Sequence, residues 1–281
     1  MVFTMQKNTR NVALATGIFG AALLSSAARA DLSYATKIAS GASTTTTTAY
    51  IKGNRLRTEA EGTMTITDGT RTWLIDTKKK TFSIVANEKL GQMGGPMVEM
   101  FREMIDVKMD ASVKPGGKTR TILGKPARNY VFQLSMRMSF KPGHGTKAPT
   151  GDRPTTLPVL SLKGESWTTD AVVVAPGLLK SAGVGAVFSR LGMLGSSVEK
   201  SAAAFDSMKG FPLETTLTQS MTGMPKGQKT GGEARTVKFS VVSLKTDALP
   251  DSLFLPPKGF KQVPYQAPSI PMGNMGGDGG M

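Results

Sequence analysis

Few side chains here are of a type that could do chemistry. His144 is the single histidine of 281 residues, set in "PGHGTK", and there is no cysteine. A nucleophile–base–acid arrangement or a histidine-held zinc needs partners fixed around the imidazole. A polar, Pro/Gly-rich loop does not fix them. Thiolate-held zinc and thiol catalysis are excluded outright. No glycine-rich turn stands between a strand and a helix start, so the pattern holds no phosphate cradle. Among 20 acids chance pairs are expected, and their spacing singles out none. No cofactor and no metal is implied. Methionine, with 17 copies, is the residue type with direction. Met97, Met100 and Met104 recur at helical spacing. Met136 and Met138 recur at strand spacing, in line with Phe132 and Leu134. Thioether side chains are flexible and polarizable and suit an apolar surface that accepts varied shapes. These seven residues are the candidate ligand-binding set, lining a cavity if helix and strand face each other. The alternative is that they fill a core. Met272, Met275 and Met281 are soft donors of the kind copper(I) takes, but they stand without histidine or cysteine in a low-complexity tail.

The elements that must position these residues are mostly strands. In "YVFQLSMRMSF" (130–140), Phe132, Leu134, Met136, Met138 and Phe140 share one side, with Gln133, Ser135, Arg137 and Ser139 on the other. That is a long strand wet on one face. "LETTLTQSM" (213–221) repeats the pattern. "RTVKFSVVSLK" (235–245) does so through Val241, after which Val242 and Leu244 change parity, the mark of a bulge. Thr44 to Lys52 and Asn54 to Glu61 form a hairpin turned by Gly53-Asn54. "TRTWLIDTKKKTFSIV" (70–85) forms another, with the lysines of "DTKKK" (76–80) at its solvated end, where lysine also discourages edge pairing. Trp73 and Trp167 read as packing anchors rather than base-stacking platforms, which sets nucleic acid aside as a partner. Two stretches read as helices: 96–105, opening on Pro96, and 176–210, whose glycines break its continuity. Residues 141–156 and 223–234 are polar loops, and 264–281 is a disordered Pro/Gly/Met-rich tail.

The first 30 residues have the layout of a secretory leader. Lys7 and Arg10 precede a short apolar run that closes on Ala28-Arg29-Ala30, a small-x-small cleavage motif. Cleavage after Ala30 makes the protein periplasmic and starts it at Asp31. It would then carry 32 basic residues against 20 acids, a net charge of +12. Such a charge favours anionic surfaces. A chain of this length buries a sizeable core without disulfides.

Taken in order, "AYIKGNRLRTE", "ITDGTRTWLIDTKKKTFSIV", "GKTRTILGKPARNYVF", "SWTTD", "GFPLETTL" and "DALPDSLFLPPKGFKQV" resemble a family of exported bacterial proteins of unassigned activity. Their domain is similar to the LolA/LolB-like lipoprotein carriers of the Gram-negative periplasm. The resemblance covers nearly all of residues 31–263. It implies a mainly β domain with inserted helices, in which a curved antiparallel sheet forms an incomplete half-barrel covered by helices around an apolar cavity. The arginine that gates the carriers' cavity is not identified, although Arg55 and Arg57 lie in the corresponding region. The function so implied is a monomeric, non-catalytic carrier of a hydrophobic ligand or a lipidated protein. The alternative is a structural or interaction protein of the envelope whose basic surface holds anionic polymers.

Overall fold

The computed structural model describes residues 31–88, 103, 105–140, 159–173, 201, 203–222 and 234–266. Among these residues twelve strands form one sheet. A first meander runs through β1 (Leu32–Ser40), β2 (Ser43–Lys52), β3 (Arg55–Ala60), β4 (Thr63–Thr67), β5 (Arg71–Asp76) and β6 (Thr81–Ala86). A second runs through β7 (Ile105–Ile122), β8 (Lys125–Phe140), β9 (Val159–Thr169), β10 (Phe211–Thr222) and β11 (Arg235–Lys245). The short β12 (Lys261–Gln262) follows a 3-10 turn at Asp251–Phe254. The order across the sheet is β12-β6-β5-β4-β3-β2-β1-β11-β10-β9-β8-β7. Antiparallel pairing of β1 with β11 joins the two meanders, and β12 adds to β6 in parallel.

This corrects the expected architecture. The strands build a single open sheet, and among the described residues no helices cover a half-barrel. Two boundaries show why. Ile105, expected to close a helix, is the first residue of an 18-residue strand. Of the stretch 176–210, the described helical residues are Ser201 and 203–206, and β10 opens at Phe211. Over a short apolar stretch periodicity does not by itself say where a helix gives way to a strand. Here β8 pairs with β7 along its whole length.

The strand expectations hold. Gly53 turns the β2–β3 hairpin with φ of 57°, a left-handed conformation that glycine adopts without strain. The β5–β6 hairpin closes through the Lys79 N–H donating to Asp76 Oδ1 at 2.9 Å, and Lys78, Lys79 and Lys80 are exposed at its tip. The parity change in β11 is a bulge. Ala35 lies opposite Ser243 and Thr36 opposite Val241, so Val242 is the extra residue and is 49% exposed. The bulge returns Val241 and Leu244 to the same apolar cluster.

Register explains burial. Leu32, Ile51, Leu56, Thr67, Thr72 and Val85 are successive cross-strand partners in one row over β1 to β6, and all six are buried. Asn87 binds the two threonines. Its Oδ1 accepts from the Thr72 hydroxyl at 2.7 Å, and its Nδ2 donates to Thr67 Oγ1 at 3.4 Å. The opposite face of this meander is covered by the C-terminal segment. Phe254, Leu249, Leu253 and Phe260 pack on Met64, Ile66, Trp73 and Ile75. Arg55 and Arg57 hold that cover. Arg55 reaches Asp251 Oδ1 at 2.6 Å and lies over the Phe254 ring at 5.0 Å. Arg57 pairs with Glu59, donates to the Leu253 carbonyl at 2.8 Å and lies over Tyr50. Both guanidinium groups are therefore engaged in holding the C-terminal segment to β2 and β3.

Two ionisable groups carry a pH prediction. Tyr34 packs edge-to-face on Phe211 at 5.1 Å, and burial pushes its phenol up to about 12. Its neutral form is favoured in the fold, so its stabilising contribution is complete below pH 10.0, the ordinary value, and is lost as pH rises toward about 12. Tyr34→Phe, which cannot ionise, is expected to lose less stability over that interval in thermal melts than the wild type. Asp68 shows the opposite sign. Burial alone would raise its carboxyl, but the N–H groups of Arg71 and Thr70 and both their side chains outweigh this and hold it at about 2. Its contribution is present above the usual 3.8 and is lost as pH falls toward about 2.

Candidate functional site

The face of β1 that carries Leu32 also carries Ile38. Cross-strand pairing leads from Ile38 through Phe239, Thr215 and Ser166 to Tyr130. Phe132, Leu134, Met136 and Met138 follow on β8 at alternate positions and therefore lie on the same side. Phe132 and Leu134 are 2% and 1% exposed. Met136 and Met138 are half-buried. On β7 their partners are Val113, Ala111, Met109 and Val107 in turn. On β9, Gly164, Leu162 and Leu160 lie opposite Phe132, Leu134 and Met136. One apolar surface thus extends over β7, β8 and β9, with Leu217 of β10 packed against it. The other side of β8 carries exposed Gln133, Arg137 and Ser139, as the alternation requires.

At Gly164 two strands and a ring come close together. A Cβ there would lie 2.4 Å from Phe132 Cζ and 2.5 Å from the Thr216 carbonyl oxygen. The absent side chain makes room for the Phe132 ring. That ring meets Phe205 edge-to-face at 5.5 Å.

Residues 201 and 203–210 lie over this surface. Phe205 is buried in the same cluster, and Met208 packs on it. The segment is pinned by polar contacts. Ser201 Oγ donates to the Met109 carbonyl at 3.1 Å, and Thr168 Oγ1 donates to the Lys209 carbonyl at 2.6 Å. The Lys209 N–H donates to the Tyr130 hydroxyl at 3.4 Å. Beneath it, Ser166 and Thr215 share a buried hydroxyl–hydroxyl bond of 2.8 Å.

The opposite face of the second meander is polar, and some of its charges are paired. Arg120 donates to Glu214 at 2.7 Å and lies 4.0 Å over the Trp167 ring. Lys238 is 3.7 Å from the same carboxylate. Buried Asn129 donates to Glu165 at 2.8 Å and accepts from the Lys118 N–H at 2.9 Å. Such pairs fix the positions of these side chains on that face. Among the described residues no group of three or more His, Asp or Glu is placed to hold a metal ion.

Of the seven candidate residues, the structure brings Phe132, Leu134, Met136 and Met138 onto one face. Met97, Met100 and Met104 lie outside the described residues, as do His144 and the tail methionines. Sequence reasoning missed Val107, Met109, Leu162 and Phe205. The alternation of "VKMDASV" (107–113) carried the signal for the first two. Trp73 is buried in the third cluster, and half-buried Trp167 packs against the first, consistent with packing roles.

No protein-family model and no curated protein matches the chain. Among solved structures, an uncharacterized conserved protein from Thermus thermophilus aligns at 9% identity with a TM-score of 0.37, covering 84% of this chain and 91% of that one. The MucA/MucB complex of Pseudomonas aeruginosa aligns at 8% identity with a TM-score of 0.20, covering 78% and 94%. A structure of MucB with MucA(peri) gives 7% and 0.19, with the same coverage. Likenesses this distant carry no conclusion about fold or activity. Among the described residues no helix is long and apolar enough to cross a membrane.

Proposed function

We propose that the chain is an exported, non-catalytic binding protein that holds an apolar ligand against the β7–β9 face. The ligand class is a lipid or the acyl part of a lipidated protein. One observation carries this reading. Met109, Met136 and Met138 meet across two paired strands on a single face, beside Leu160 and Leu162, and Met136 and Met138 are only partly enclosed. A methionine-rich apolar surface adapts to ligands of varied shape. Each methylene removed from water contributes about 0.8 kcal/mol, so about eight acyl methylenes contribute roughly 6 kcal/mol, which offsets the lower end of the cost of association, and a longer chain offsets more. Export is supported by the Ala28-Arg29-Ala30 motif and by the contacts beyond it. Asp31 Oδ2 accepts the Leu249 N–H at 2.7 Å and β1 starts at Leu32, so cleavage after Ala30 leaves this hydrogen bond intact.

Native mass spectrometry of protein recovered from its own cell envelope tests the reading. A lipid adduct is expected. A chain that is empty in every preparation, and that takes up no added fatty acid, contradicts it.

A further inference from the structure

We propose that the corner where the β5–β6 hairpin meets the C-terminal strand is a docking surface for an anionic lipid bilayer. The inference goes beyond the apolar-ligand reading and does not depend on it. In sequence the lysines concerned are far apart: Lys78, Lys79 and Lys80 lie at the hairpin tip, and Lys258 and Lys261 close to the end of the described chain. The fold brings them together. Parallel pairing sets Lys261 opposite Thr81, and the Lys261 N–H donates to the Lys80 carbonyl at 3.0 Å. The preceding turn closes through the Phe260 N–H and the Pro257 carbonyl at 3.3 Å, with Lys258 exposed within it.

Two acids face these five lysines. Asp76 lies 3.5 Å from Lys79, and Glu61 lies 3.9 Å from Lys78. Lys80, Lys258 and Lys261 are exposed and make no ion pair among the described residues. The corner is therefore left with a local excess of positive charge.

Two features select a bilayer rather than a polymer. The first is apolar exposure beside the lysines. Val263, two residues beyond Lys261, is 37% exposed with its N–H on the Phe82 carbonyl, and Leu255, three residues before Lys258 in the chain, is 58% exposed. Apolar side chains among unmatched cations suit the boundary between headgroups and acyl chains. The second is the choice of residue. Lysine is a mobile point charge without arginine's planar fork, so it suits many phosphodiester headgroups in a plane rather than one fixed phosphate.

The test is co-sedimentation of the full chain with vesicles of phosphatidylcholine containing phosphatidylglycerol, beside phosphatidylcholine alone. The wild type is expected to bind the anionic vesicles and not the neutral ones. K80E/K258E/K261E is expected to lower partitioning by at least about tenfold, and K80Q/K258Q/K261Q by a smaller factor. K108E/K114E/K163E changes the net charge equally on exposed positions of β7 and β9 and is expected to bind nearly as the wild type does. Thermal melts confirm that each variant is folded, and the glutamine triple serves if the glutamate triple is not. Equal loss in the β7/β9 variant would mean that net charge alone acts, and it overturns the proposal. So do binding to neutral vesicles, no binding by the wild type, and displacement by inorganic phosphate at matched ionic strength.

Discussion

Phe132→Ala is expected to destabilise the protein by about 3–5 kcal/mol, the range for removing a fully buried aromatic ring from a packed core. The ring is 2% exposed and is held between Gly164 on β9 and Phe205, which arrives from the segment before β10. It joins the sheet to the stretch that lies over it. Removing it leaves a cavity under Phe205 and loosens the attachment made by Ser201 and Lys209. Chemical denaturation should show the loss as a lower midpoint. A loss below about 1 kcal/mol would mean that the ring is not packed as described.

Gly164→Ala is the second large effect, and its cause is the reverse: too much volume rather than too little. The added methyl group would meet Phe132 Cζ at 2.4 Å and the Thr216 carbonyl oxygen at 2.5 Å. The ring can rotate away, but the carbonyl belongs to the β9–β10 ladder and cannot move without breaking register. Overpacking of this kind costs about 1–3 kcal/mol, and the backbone contact places the expected value at the upper end. Phe132→Ala/Gly164→Ala should cost less than the two single losses together, because the smaller residue removes one of the two clashes. Strict additivity in a denaturation series would show that the two positions do not touch.

The extent to which the sequence foretold this structure depended on the reach of each signal. Period-two alternation is local, and it placed β2, β3, β5, β6, β8, β10 and β11 close to where they are found. It also detected the bulge at Val242, because a parity change is visible in one strand without its partner. The cross-sheet relations were not local. No spacing rule says that Lys261 will add in parallel beside Thr81, or that β1 will pair with β11. The helix-covered half-barrel failed for a related reason. Helical spacing groups Ile105 with Met100 and Met104, whereas Ile105 opens β7 and the alternation from Val107 to Val113 marks that strand. Half of the candidate face was accessible in the same way: Phe132, Leu134, Met136 and Met138 alternate on one strand. Phe205, which closes that face, comes from a helical stretch whose target no periodicity reveals. The buried threonines Thr67 and Thr72 were equally hidden, since threonine alternation does not say which face is dry.

The central claim is that the methionine-bearing face of β7–β9 holds an apolar ligand, and native mass spectrometry of three chains recovered from the same envelope tests it most directly. The wild type and M136L/M138L, which keeps the surface apolar, are predicted to carry lipid adducts of equal abundance. M136K/M138K is predicted to lose them while keeping its thermal midpoint, because lysine at half-buried positions extends its charge to solvent. Adducts of equal abundance on all three folded chains, or on none, would contradict the claim.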